Sequence, residues 1–213
     1  MAEYLNEQEQ VEVLKNFWKR YGNAILVIIV ITILAMAGWR YWQNHRAAQL
    51  AAASASYESL LQSVSANQAT AVTMQAQALM QSGVLPYATM AALMLAAEQV
   101  NSNQLDQARA SLNWVIKHTK SVDFRAIATI RLARILIVQQ KAAQAIKLLQ
   151  SPVAGYQSAY ALISGDAYVQ LQNYAAAYHA YQTALASLPS DSYLVAIIKV
   201  KLSNIPVTAS QAQ

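Results

Sequence analysis

The sequence predicts an all-α chain: one N-terminal transmembrane helix followed by an α-solenoid of helix pairs. Three observations carry this. Residues 21–39, between Arg20 and Arg40, hold nineteen side chains and no charge. The remainder is rich in Ala, Gln, Ser and Leu, with only five Gly and four Pro in 213 residues. That is helix-forming composition, too poor in turn residues for a sandwich of many short strands. Third, helix-turn-helix patterns recur, with a small residue at each crossing: Ala108, Ala145 and Ala177.

The span comes first. Its centre reads Ala24-Ile-Leu-Val-Ile-Ile-Val-Ile-Thr-Ile-Leu-Ala-Met-Ala37. Nineteen helical residues rise about 28 Å at about 1.5 Å each, close to the hydrocarbon thickness of a bilayer. Backbone groups in lipid have to be satisfied within the segment, which selects a helix. Trp18 and Tyr21 flank one end and Trp39, Tyr41 and Trp42 the other. Indole and phenol rings carry an apolar body and a polar edge, so these five are assigned to the headgroup zone. The lipid bilayer is thus the first expected partner.

Residues 1–20 carry Glu3, Glu7, Glu9 and Glu12, then Lys15, Lys19 and Arg20, an order that suits a helix dipole. They read either as a lead-in to the span or as a cytoplasmic docking helix. Lys15, Lys19 and Arg20 outnumber Arg40 and Arg46, and no Lys or Arg occurs from residue 47 to residue 108. Basic residues resist translocation, so the N-terminus is placed in the cytoplasm and residues 43–213 outside it. A rival reading is a cleaved signal peptide, with Ala35-Met36-Ala37 as the site; the apolar core running directly into it speaks against cleavage. The expected divisions are a cytoplasmic segment 1–20, an anchor 21–42, a helical domain 43–203 and a flexible tail 204–213.

Composition removes several classes. The absence of Cys excludes disulfides, thiolate nucleophiles, Cys-based metal sites and lipid-modified cysteine. His45, His118 and His179 are far apart and lack metal-ligand spacing. No Gly-rich phosphate loop or nucleophile elbow is present. No catalytic residue, cofactor, metal or small-molecule substrate is expected. Basic and acidic residues cancel within residues 1–42, so the whole net charge of +5 lies beyond them. That excess fits anionic lipid or an acidic partner and does not imply nucleic acid.

After the span, residues 44–66 read as a helix continuing from or just after it, with Leu50, Tyr57, Leu60, Leu61 and Val64 as its buried stripe. A helix over 70–81 follows, ended by Ser82-Gly83, then one over 86–100 opened by Pro86. The repeats begin here. Leu95-Ala96 and Leu105-x-x-Ala108 precede Leu112. Leu132-Ala133 and Ala142-x-x-Ala145 precede Leu149. Gly165, Tyr168 and Tyr174-x-x-Ala177 precede Tyr181, Ala184 and Pro189. A final helix over 190–203 caps the array, and 206–213 read as a frayed tail.

The unit 160–189 closely resembles a tetratricopeptide repeat, through Gly165, Tyr168, Tyr174, Ala177, Tyr181, Ala184 and Pro189. It departs at Gln172, where a turn Gly is usual, and at Ala161, where a bulky aromatic is usual. The whole chain resembles the ancillary SecYEG translocon subunits, single-span inner-membrane proteins of Gram-negative bacteria with tetratricopeptide-like repeats. The resemblance rests on the acidic start Glu3–Glu9 with Gln8-x-Gln10-Val11-Glu12, on Gly38-Trp39-Arg40-Tyr41-Trp42, and on Arg131-Leu132-Ala133-Arg134. It implies association with the Sec translocon and with a periplasmic, membrane-anchored peptidyl-prolyl isomerase-like chaperone. Periodicity alone does not give these partners.

Tetratricopeptide arrays bind through the first helix of each pair. That face gives Met90, Leu93 and Val100; Ile127, Ile130, Arg134, Ile137 and Val138; and Leu162, Asp166 and Val169. It is apolar except for Arg134 and Asp166, and a bare apolar groove is not left in water. Either the chain's own helices fill it, or a partner helix or unfolded segment does. Tyr156, Tyr160, Tyr178 and Tyr193 lie off the repeat's core positions and are candidate contact aromatics. Lys117, Lys120, Arg125, Arg131, Arg134, Lys141 and Lys147 form a basic run. It reads as a solvated surface or as a site for an acidic partner or anionic headgroups. The functional expectation is a non-enzymatic, membrane-anchored adaptor at the translocon. The alternative is a holdase-like chaperone that binds unfolded segments in the groove itself.

Overall fold

The computed structural model describes residues 7–189 and 191–206, with side chains from residue 11. The described residues form nine α-helices and no strand. They fall into two compact units, Met1–Ala52 and Ala53–Gln213. Residues 1–6 of the expected cytoplasmic segment 1–20, residue 190 at the start of the expected final helix, and residues 207–213 of the expected tail lie outside the described residues.

In the first unit every described residue belongs to helix α1, Glu7–Ser65, whose later residues continue into the second unit. One run of α1 is long and apolar enough to cross a membrane. Leu26, Val27, Ile28, Ile29, Val30, Ile31, Ile33 and Leu34 are all exposed. Side chains of this kind have no reason to face water, so their exposure around the helix fits lipid contact rather than a buried core helix. No glycine or proline break ends the helix at residue 42, and the array's compact unit starts at Ala53.

The second unit is built of paired helices. The end of α1 pairs with α2 (Ala69–Ser82), α3 (Tyr87–Asn101) with α4 (Leu105–His118), and α5 (Val122–Val138) with α6 (Ala142–Leu149). The last pair is α7 (Gln157–Gln170) with α8 (Tyr174–Ala186), followed by α9 (Tyr193–Ser203). One turn recurs four times. Asn67, Asn103, Gln140 and Gln172 take left-handed φ values of 54°, 59°, 60° and 59°. The following amide reaches back to the carbonyls of Ser63, Gln99, Leu136 and Tyr168 at 2.7–2.9 Å. A helix end of this type satisfies its last carbonyls and reverses the chain.

Five residues after each turn a small or β-branched side chain is buried at the crossing: Val72, Ala108, Ala145 and Ala177. Nine residues after it stand Ala76, Leu112, Leu149 and Tyr181, also buried. The array therefore holds four pairs. Sequence periodicity gave three, because Val72 replaces the alanine that marks the others. Fully burying a leucine such as Leu60 or Leu112 is worth roughly 1.5–3 kcal/mol, and such residues are what hold the pairs together. The buried stripe of α1 also differs from expectation. Ala53 and Leu60 are buried, whereas Leu50, Leu61 and Val64 are exposed.

Caps fix the later helices. The Oγ of Ser121 accepts from the Phe124 amide at 3.3 Å, and Asn173 Oδ1 accepts from Ala176 at 3.1 Å. Each satisfies one of a helix's unpaired first-turn donors.

Candidate partner-binding surfaces

In the first unit, Trp18, Tyr21, Trp39, Tyr41 and Trp42 are all exposed. Helical spacing brings two of them together: the Trp39 and Trp42 rings lie 5.7 Å apart, centre to centre, tilted by 37°. The guanidinium of Arg46 sits 5.3 Å from the Trp42 ring. Cation and ring attract through the ring quadrupole, giving this end of the apolar run a positive, aromatic collar.

In the second unit the predicted groove is only partly open. Leu93, Ile130 and Leu162 are buried and belong to the main core. They are corrected from contact residues to core residues: at these register positions the first helix of a pair turns its side chain under the neighbouring pair. Met90 is half-buried, and Ile127 and Ile137 are half-buried against the same core. Val100, Arg134, Val138 and Val169 remain exposed, Val138 the most of the three valines at 66 %.

Asp166 is not an isolated groove carboxylate. Its Oδ1 accepts the Tyr181 hydroxyl at 2.6 Å and the Lys201 ammonium at 2.7 Å. Burial, and then the Asp166 acceptor, push the Tyr181 phenol well above its ordinary range. One carboxylate thus ties α7 to α8 and α9, while Ile198 and Ile205 bury themselves in the core. The capping helix occupies this end of the array, so Asp166 and Leu162 serve the fold. Lys201 was missed in the sequence because a lysine in a short apolar helix reads as solvated.

The four candidate tyrosines separate. Tyr160 is 3 % exposed and is corrected to a core residue; it faces inward one turn before the buried Ile163. Tyr156 is half-buried on the core, and burial followed by the nearby Asp123 charge raises its phenol. Tyr178 is half-buried and its hydroxyl accepts from Gln182 at 3.0 Å. Tyr193 is 77 % exposed and stands on the outer side of α9 with Ile197 and Val200.

The basic run splits as well. Arg125 donates to the Thr119 carbonyl at 3.2 Å, and Lys141 to Gln139 at 3.3 Å. Gln139 also donates to Asp106, while Arg109 donates to both Asp106 and Gln139. The Gln139 and Arg109 donors hold the Asp106 carboxyl below its ordinary value. This cluster joins the start of α4 to the end of α5.

Arg131 and Arg134 differ from these. They border a hollow of about 270 Å³ between α3 and α5, floored by Ala96, Ala97, Val100, Leu112 and Ile135. Arg131 makes one long contact, 3.5 Å to the Leu93 carbonyl. A second hollow, of about 330 Å³, lies among Asp166, Val169, Tyr174, Tyr181, Lys201, Asn204 and Ile205.

Repeated helix pairs, one left-handed turn per pair and an exposed apolar lead helix define a helical-repeat protein whose first helix is long and apolar enough to cross a membrane. The tetratricopeptide repeat-like domain family matches residues 15–207, and the chain belongs to that family. It is also similar, over nearly all its length, to proteins named ancillary SecYEG translocon subunit. The one from Escherichia coli (strain K12) is 27 % identical, covering 97 % of this chain and 100 % of the relative. That from Haemophilus influenzae is 28 % identical, covering 96 % and 100 %, and that from Neisseria gonorrhoeae is 28 % identical, with the same coverage. The likeness extends over both the apolar run and the repeats of this chain. No solved structure matches the chain.

Proposed function

We propose that the protein is a non-enzymatic, membrane-anchored adaptor that associates with the Sec translocon. Its helical repeats lie on the periplasmic side of the bacterial inner membrane, its N-terminus is cytoplasmic, and it links the translocon to a periplasmic, membrane-anchored peptidyl-prolyl isomerase-like chaperone. The observation that carries this reading is the end-to-end correspondence, span and repeats together, with relatives named ancillary SecYEG translocon subunit. Anchoring confines the repeats to two dimensions and raises their effective concentration near other membrane proteins. The burial of Leu93, Ile130 and Leu162 supports an adaptor over a holdase, since it removes much of the apolar surface that unfolded clients would need.

The test is photo-crosslinking in intact membranes with probes at Trp39, Val138 and Tyr193, adducts being identified by mass spectrometry. Adducts to translocon subunits and one folding factor are expected. A broad spread of secreted proteins would instead favour the holdase. Protection of a C-terminal tag from protease outside the cytoplasmic membrane would overturn the orientation.

A further inference from the structure

Two hollows of the repeat domain, the one bordered by Arg131 and Arg134 and the one beside Asp166, stand in the same register. In the first, Ala97, Val100 and Leu112 lie six before, three before and nine after the turn residue Asn103; in the second, Asp166, Val169 and Tyr181 lie at the same offsets from Gln172. The next helix in the array completes each wall with the same spacing: Arg131, Arg134 and Ile135 on α5, and Lys201 on α9 with Asn204 and Ile205 just past its end.

They differ in how charge is settled. In the second hollow the cation of the following helix, Lys201, meets the Asp166 carboxylate at 2.7 Å, and the Tyr181 hydroxyl fills in beside it. In the first, the equivalent of Asp166 is Ala97 and the equivalent of Tyr181 is Leu112. The following helix presents two guanidinium groups rather than one ammonium. Among the described residues neither Arg131 nor Arg134 has a carboxylate within ion-pair distance. The first hollow is therefore the second one with its carboxylate removed, its floor made apolar and its cationic rim doubled.

We infer that this hollow receives a partner protein's segment in which an Asp or Glu stands beside a large aliphatic side chain. The aliphatic group covers the exposed Ala97 and Val100, above the buried Leu112 and Ile135, and the carboxylate takes the place that Asp166 fills in the last pair. Guanidinium groups bind carboxylates in a planar, two-pronged manner, which favours arginine at such a rim. A hollow of about 270 Å³ lies below the usual range of small-molecule pockets, so it suits one or two side chains. A second copy's α9 does not fit, since Lys199 and Lys201 would approach two arginines. The inference rests on the adaptor reading and specifies the chemistry of its partner.

The test uses the full chain in lipid nanodiscs and three synthetic amphipathic helical peptides. These are identical except for Glu, Gln or Lys beside a central Leu. Binding is read by fluorescence anisotropy. The Glu peptide is expected to bind at least tenfold more tightly than the Lys peptide, and Arg134→Glu is expected to reverse the order. Ala97→Asp supplies the carboxylate internally and is expected to weaken the Glu peptide about tenfold, with helicity unchanged. Arg134 is exposed, so its variant remains informative if Ala97→Asp fails to fold.

Equal binding of the three peptides, no binding, or indifference to Arg134 would overturn the inference. So would Arg134-dependent binding of phosphatidylglycerol vesicles with no peptide preference, which would make the ligand a headgroup. Co-purification of the unaltered chain with the translocon is scored in parallel. If it persists while peptide discrimination is absent, the partner surface is wrong and the adaptor reading stands; if it is lost, the adaptor reading falls.

Discussion

The Cα of Gly165 lies directly against the ring of Tyr181. A Cβ built on Gly165 would overlap that ring's edge. Helices α7 and α8 cross at this point, with Tyr181 buried at 2 % exposure and pinned through its hydroxyl to Asp166. Gly165→Ala therefore has no room that a small rotation would supply. It is expected to cost about 1–3 kcal/mol by overpacking, read as a lower urea midpoint. A neutral result would mean that α7 and α8 are farther apart.

The four turns carry a second expectation. Asn tolerates left-handed backbone through its short polar side chain, but Gln does not share that advantage. Gln140 and Gln172 hold φ values of 60° and 59°. Replacing either by Gly relieves roughly 1–2 kcal/mol of strain and raises the entropy of the unfolded chain by a smaller amount. Each variant is expected to be about 0.5–1 kcal/mol more stable than the parent, measured by thermal or denaturant unfolding. Destabilisation would show that the turn is not left-handed.

Asp166 joins three helices through one oxygen. Asp166→Ala leaves the Tyr181 hydroxyl without its acceptor and Lys201 without its counter-ion. A buried group left unpaired costs about 1–3 kcal/mol, and α9 should loosen first, seen as faster hydrogen exchange at Ile198 and Ile205.

The same contact sets an alkaline limit. The Tyr181 phenol titrates higher in the folded chain than its ordinary value of 10.0, because of burial and the Asp166 acceptor. Below about pH 10 both folded and unfolded forms keep the proton, and the contribution is intact. Above it the unfolded chain ionises first, so stability falls with rising pH. The alkaline slope is expected to be shallower in Tyr181→Phe than in the parent. Equal slopes would remove Tyr181 as the cause.

The span makes a simpler prediction. Val30 is exposed at the middle of the apolar run. A lysine at a helix centre costs about 2.5–3.5 kcal/mol on insertion scales. Val30→Lys should shift the protein toward the alkali-extractable fraction, and unchanged retention would argue against a single membrane-crossing helix.

Much of this was legible in the chain. Lack of charge over 21–39 fixed the apolar helix, and Ala108, Ala145 and Ala177 marked three crossings, because backbone approach demands small side chains there. The first pair was hidden because Val72 fills its crossing and its leading helix runs on from the apolar one. The binding face was read less well. Periodicity says which residues share a face, not which neighbour covers it, so no local pattern shows that Leu93, Ile130, Leu162 and Tyr160 are buried. Asp166 failed for the same reason: Lys201, its partner, lies 35 residues away, beyond the reach of any local pattern.

The turn at Asn67 also dictates where the chain can be cut. The first pair borrows its leading helix from the last turns of α1, where Ala53 and Leu60 cover Val72, Ala76 and Leu79. A soluble fragment begun at the next helix, near residue 69, would strip that cover and leave a sticky, half-built end. One begun a few residues before Ala53 keeps the pair whole. The natural seam of the molecule therefore falls within an unbroken helix, where neither a loop nor a change of composition advertises it.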